Sequence, residues 1–388
     1  MGKNYRVMAL AVVILMGLTL LAGCGGSGAP QASPAPAPDT GAASTAGGED
    51  TAGDGAVRFA ILNNDTYASG GWTLSHYIGY NYLVEQMPGL DALWVDNVAD
   101  SGPDCEQMLE RLVNDGYNML VTTSFGFQDA AVKVAKKYPD VHILHIQGFV
   151  EPFENFSLFD IREYETTFLS GYIAGKTTKT NNIGYVGSVP VNTVIRATNG
   201  FAAGVKYANP SAKVNVLWTN SWYDPTKERE AAQTLIDGGS DVLGMFQSTP
   251  AVLQTCEENG VFGIGFHTDQ SEFAPNATLT SYCWNWGPYY VQKVEEVQNG
   301  TWAGNDAFLG VEDGFGELAP INAELVSADV ISEVDDLRSQ IKNGSLAIFA
   351  GPFSDNQGNE LVADGEEMPM DKIKAGDWLY ENIVGNMQ

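Results

Sequence analysis

Six short stretches of this chain, 63–72, 122–127, 187–192, 219–224, 246–249 and 266–269, gather residues able to hold a small molecule without reacting with it. Most set Phe, Tyr or Trp beside Ser, Thr, Asn or Asp. Aromatic faces with a few convergent polar groups suit a flat, uncharged heterocycle. Phe125 is a candidate ligand ring, and Trp72 and Trp222 stand in the same kind of stretch, where a tryptophan serves as readily for packing. Ser124 and Asn192 are candidates to hydrogen-bond ring nitrogens or to cap the helices that follow. Asp269 can accept from a ring or exocyclic N–H, or cap the next segment.

Covalent and metal chemistry find little support. The chain has 4 histidines. His142 and His145 lie three apart on an expected strand and point to opposite faces, which argues against a shared metal. No His/Asp/Glu cluster has metal-ligand spacing, and no nucleophile with a base can be assembled. The expectation is a protein that is not an enzyme and needs no cofactor.

The elements that carry these stretches read as an α/β alternation. Apolar runs at 57–63, 92–98, 119–123 and 142–146 alternate with helical patterns at 77–85, 104–115 and 128–137. A second series has helices at 166–178, 194–208, 226–238 and 250–259 with strands at 183–187, 213–219, 242–246 and 262–266. Helical patterns recur at 286–299 and 332–343. Near-continuous apolar strands between helices predict parallel sheets covered on both faces, in two successive domains. Ligands in such sheets sit at the carboxyl ends of the strands, where the six stretches fall.

The amino-terminal region reads as an address. Residues 1–23 have Lys3 and Arg6, an apolar run from Val7 to Leu21 and a small-small ending before Cys24, the anatomy of a secretory signal peptide too short to span a bilayer. The ending LAGC resembles the bacterial lipobox, so Cys24 is the expected lipidated residue, holding the protein on the outer face of the cell membrane. Residues 24–55, rich in Gly, Ser, Ala, Pro and Thr, cannot bury enough surface to fold and are expected to form a flexible tether. The net charge of −28 becomes about −30 without the leader and repels nucleic acid. The remaining cysteines, Cys105, Cys256 and Cys283, have no metal spacing and read as buried thiols, with one bridge between Cys256 and Cys283 left open.

The stretches TTSFGFQDA (122–130), FLSGYIAG (168–175), GYVGSVP (184–190), NGF (199–201) and WYDP (222–225) resemble, in order, the basic membrane protein family. These are substrate-binding lipoproteins of ABC importers whose best-known members bind purine nucleosides. The resemblance spans nearly all of the folded part and implies a type I periplasmic-binding-protein fold. That fold has two Rossmann-like α/β lobes joined by a three-segment hinge, with ligand in the cleft. By this analogy the amino-terminal lobe takes 57–159 plus 283–316 and the carboxyl-terminal lobe 160–282 plus 317–388. The family sandwiches its base between two rings, which match Trp72 and Trp222, and holds the ribose with an aspartate and a lysine. Asp269 in the pair Asp269-Gln270 keeps the first, while Trp284 stands at the lysine's place. The sequence YCWNWGPYY (282–290) resembles a subgroup that binds a free base such as adenine, with Trp284 and Trp286 filling the space of the sugar. The resemblance therefore implies a monomer that delivers a purine base to an ABC permease, a nucleoside being the alternative. A sensor domain for a membrane receptor and a nucleoside hydrolase are the rival classes.

Overall fold

The computed structural model describes residues 56–100 and 102–387. The expected leader, Cys24 and the tether lie outside the described residues. In β1 (Arg58–Leu62), Phe59 and Ile61 alternate with Ala60 and Leu62, and all four are fully buried. A strand apolar on both faces needs cover on both, the condition of a parallel sheet between helices. It is followed by α1 (Gly71–Gln86), β2 (Asp91–Val95), α2 (Asp104–Asn114), β3 (Met119–Thr122), α3 (Gln128–Lys137), β4 (His142–Ile146) and β5 (Phe156–Ile161). After α4 (Glu163–Thr177) come β6 (Asn182–Gly187), α5 (Asn192–Ala208), β7 (Lys213–Trp218), α6 (Pro225–Asp237), β8 (Val242–Met245), α7 (Ala251–Asn259), β9 (Phe262–His267) and β10 (Thr278–Trp284). The remainder holds α8 (Trp286–Gln298), β11 (Asp306–Leu309), β12 (Gly316–Leu318), α9 (Ala328–Lys342), the short pair β13 (Phe353–Ser354) and β14 (Glu360–Val362), α10 (Met370–Ala375) and β15 (Ile383–Val384).

The first sheet has the order β11-β5-β4-β3-β1-β2 and is parallel throughout. The second has the order β12-β10-β9-β8-β6-β7-β15 and is parallel except that β12 runs against β10. One apolar cluster lies between the first sheet and α2 with α3; a larger one fills the other face and continues into the second lobe. There α4 and α5 meet backbone to backbone. A Cβ at Gly171 would lie 2.0 Å from the Phe201 carbonyl oxygen, and one at Gly204 2.0 Å from that of Phe168. Only glycine allows that approach.

The chain passes between the sheets three times, at Arg162, at Asn285 and over 310–315, and these crossings are tied to one another. Arg162 Nη2 donates to Glu312 at 2.7 Å and Asp313 at 3.0 Å, while the Val311 N–H donates to Glu165 at 2.7 Å and the Asn285 N–H to the Phe315 carbonyl at 2.8 Å. Beside them Arg196, almost wholly buried, meets Asp160 at 2.9 Å and Glu163 at 3.0 Å. The expected lobe boundaries shift accordingly: β5 stays with the first sheet to Ile161 and β10 with the second to Trp284, and the third crossing ends before Gly316.

Besides the short strands β11 to β15, two of the longer strands, β5 and β10, went unforeseen because polar residues interrupt their apolar runs. Distant partners satisfy those residues: Ser157 Oγ donates to the Ala303 carbonyl and Thr280 Oγ1 to that of Ala319. Helix α1 starts six residues before the expected pattern, since Gly70, at φ 79°, turns the chain and its carbonyl accepts from the Leu74 N–H. The Cys256 and Cys283 thiols are free, so no bridge joins them, and Cys105 is free and buried.

Candidate functional site

The first lobe presents the opening turns of α1. Trp72 is fixed there by its indole N–H, which donates to the Thr123 carbonyl at 2.8 Å. One turn on, His76 is fully buried, stacks on Trp286 with ring centroids 4.1 Å apart, and lies 2.6 Å from the Tyr290 hydroxyl through Nδ1. The Trp286 indole donates to Ser75 Oγ at 2.9 Å, and its ring meets Trp72 edge-on at 5.3 Å. These contacts make an aromatic wall with little freedom to move.

The second lobe presents strand ends. Ser188 follows β6, Gln247 stands two residues past β8, His267 ends β9 and Trp284 ends β10. These strands are neighbours in the order β10-β9-β8-β6. All four side chains are buried, and Ser188 Oγ, Gln247 Oε1, His267 Nδ1 and Trp284 Nε1 have no hydrogen-bond partner, as is also true of His76 Nε2 in the facing wall. Leaving such a group unpaired costs roughly 1–3 kcal/mol; others, such as His145 Nε2 and Tyr289 Oη, lie elsewhere, but four on neighbouring strand ends make this edge the candidate binding place. His267 also adopts φ 69°, a left-handed conformation rare for a residue with a side chain and typical of functional sites.

The lobes touch along this edge. Trp72 meets His267 edge-on at 5.8 Å, and a Cβ on Gly71 would lie 2.7 Å from the Ser248 carbonyl oxygen. The cleft is therefore closed. Desolvation holds His267 well below the ordinary histidine range; for His76 burial acts first and the charge of His267 second, in the same direction. Both rings are neutral at physiological pH, and the seam carries no formal charge of its own from them. Among the described residues no group of three or more His, Cys, Asp or Glu could hold a metal ion, and no helix is long and apolar enough to cross a membrane.

The sequence-derived candidates separate into two sets. Trp72, Trp284 and Trp286 belong to this region, although Trp286 is wholly enclosed with its indole N–H already paired. Trp222, 51% exposed, is not brought opposite Trp72, and the ring that faces Trp72 from the other lobe is His267. Phe125 is half exposed and packs edge-on against Phe149, itself on the surface. Ser124 donates to Asp100 at 2.8 Å, Asn192 accepts from the Thr193 N–H at 2.8 Å, and Asp269 accepts from the Ser271 N–H at 3.0 Å. The residues that sequence reasoning missed are His76, Ser188, Gln247 and His267. Three of them lie inside stretches already marked as junctions. Their polar type directly after an apolar strand was the available signal, obscured by the louder aromatics.

A family model described as ABC transporter substrate-binding protein PnrA-like matches residues 56–350. A purine-binding protein of Brucella abortus is 36% identical over 298 residues, covering 76% of this chain and 84% of that protein. A putative ABC transporter glucose-binding protein of Haloferax volcanii is 32% identical over 292 residues, covering 75% and 74%. Among solved structures, an ABC transporter solute-binding protein of Conexibacter woesei superposes with a TM-score of 0.65 at 23% identity, covering 75% of this chain and 98% of that one, which is a likeness of fold.

Proposed function

The chain belongs to the PnrA-like family of ABC transporter substrate-binding proteins, which bind and do not catalyse, and on that premise we propose that its cleft takes a purine base and hands it to an ABC permease. The observation that carries this reading is the row of unpartnered polar atoms on Ser188, Gln247, His267 and Trp284, closed over by Trp72 and His76. Uncharged rings and neutral hydrogen-bonding groups fit a flat neutral heterocycle with donors and acceptors around its rim. They provide nothing to neutralise a phosphate or a carboxylate. The purine-binding relative supports the same class of ligand.

A base is favoured over a nucleoside because a buried tryptophan, Trp284, occupies the position where nucleoside binders of the resembling family place the ribose-binding lysine. Residues 24–55 would tether the clamp to lipid on Cys24, keeping it near the permease. Calorimetric titration and thermal shift against bases, nucleosides and glucose test the ligand class, since a specific ligand raises stability by mass action. Adenine or another purine base should bind more tightly than its nucleoside. If no base or nucleoside shifts the melting temperature at millimolar concentration, the assignment is wrong.

A further inference from the structure

The amide of Gln247 is held in one orientation. Its Nε2 lies 2.9 Å from the Gly187 carbonyl oxygen and 2.8 Å from Thr219 Oγ1, and the Thr219 hydroxyl donates its own hydrogen to the Ser221 carbonyl at 3.0 Å. Both partners can only accept, so both contacts need N–H. Exchanging the amide oxygen and nitrogen would set oxygen against oxygen twice. Oε1 is left on the remaining side of the amide as a fixed acceptor, buried and unpaired. In the strand order β10-β9-β8-β6, Gln247 stands between His267 and Trp284 on one side and Ser188 on the other. The Trp284 indole can only donate, and the Ser188 hydroxyl is free to donate. His267 Nδ1, next to Gln247 in that order, donates in the tautomer that carries its hydrogen there, and with that tautomer donors stand on both sides of the Gln247 acceptor.

We propose that Gln247 is the residue by which the cleft chooses among bases: its Oε1 accepts from a 6-amino group while the groups on either side donate to the flanking ring nitrogens. The proposal rests on the base-binding reading above. A 6-aminopurine presents acceptor, donor, acceptor along N1, the amino group and N7, the complement of the protein edge. A 6-oxopurine puts O6 at the centre, opposite Oε1, with no hydrogen between two oxygens. A site built to pair a ligand N–H rejects an analogue that lacks it, because its own buried atom is then stranded.

The test is calorimetric titration of the purified protein with adenine, unsubstituted purine and hypoxanthine, repeated on Gln247→Met, with unliganded melting followed in parallel. The wild type should bind adenine at least tenfold more tightly than either analogue. Gln247→Met should lose at least tenfold in adenine affinity and bring the adenine-to-hypoxanthine ratio to within threefold of unity. Equal binding of adenine and hypoxanthine by the wild type, a preference for hypoxanthine, or an unchanged ratio in the variant overturns the role of Gln247 and leaves the base reading standing. Binding of none of the three overturns both. If the variant fails to fold, the wild-type panel decides, since it alters the ligand and not the protein.

Discussion

At the carboxyl edge of the first sheet the polar side chains are spent on one another. Thr123 Oγ1 donates to Asn63 Oδ1 at 2.8 Å, Asn63 Nδ2 to the Val95 carbonyl at 3.1 Å, and Thr122 Oγ1 lies 2.7 Å from His145 Nδ1. At the same edge of the second sheet, four neighbouring strands end on side chains that each keep an atom unpaired. The two lobes share an architecture, yet at one edge most polar groups are paired, His145 Nε2 being an exception, while the other is an incomplete network. On the proposed reading recognition is asymmetric: the first lobe supplies a rigid aromatic wall, and the second supplies the hydrogen-bonding pattern.

The largest expected effect lies where the two edges are joined. Arg196→Leu strands the carboxylates of Asp160 and Glu163 in a buried site and should lower unfolding free energy by about 3–5 kcal/mol, measured by denaturant titration. A loss under 1 kcal/mol would mean that the joint is dispensable. Next comes pH. Burial draws all four histidines below their ordinary value, His145 to about 3. Below about pH 6.5 the unfolded chain takes up protons that the folded chain refuses, so the histidine contribution to stability is full above that pH and falls as pH drops, while Glu163 and Glu165, each raised by burial to about 7, act in the opposite direction over the same interval. His145 alone should remove roughly 2 kcal/mol at pH 5. Ligand affinity should fall over the same interval, because closing the seam buries His76 and His267 uncharged; an affinity independent of pH from 7 to 5 would contradict this.

The two smaller effects set the edges directly against each other. Thr123→Val breaks the paired edge and should cost about 1–2 kcal/mol of unliganded stability, with ligand affinity changed less than threefold. Ser188→Ala removes a hydroxyl that has no partner, so the unliganded protein should be as stable as the wild type or slightly more so, while base affinity drops roughly tenfold. If Ser188→Ala destabilises the empty protein and spares binding, the contrast between the edges is wrong.

Much of the fold is legible because apolar runs and helical periodicity are local properties. Helix α3 and strand β4 fall on their expected residues, Gln128–Lys137 and His142–Ile146. Strands β5 and β10 escape notice because what makes Ser157 and Thr280 acceptable inside a strand lies far along the chain, at Ala303 and Ala319. The site divides in the same manner. The junctions could be located from strand ends, and they contain Ser188, Gln247 and His267. Choosing among their residues required knowing which polar atoms other segments had already engaged. Asp269 is engaged by Ser271 two residues away, while Gln247 is turned by Gly187 and Thr219 and left half free. No local pattern distinguishes those outcomes.

The contact of Gly71 with Ser248 sets a clock. A hydrogen atom is all that fits between the first turn of α1 and that backbone, so the jaws have no slack through which a bound molecule could slip. On the proposed reading, departure must wait for the lobes to part. Residence time is then governed by how seldom the jaws part, separately from how firmly the rim groups hold. A methyl group at that position, as in Gly71→Ala, would meet that backbone and strain a residue at φ 51°, and on the proposed reading it should speed release, seen as a faster off-rate in stopped-flow.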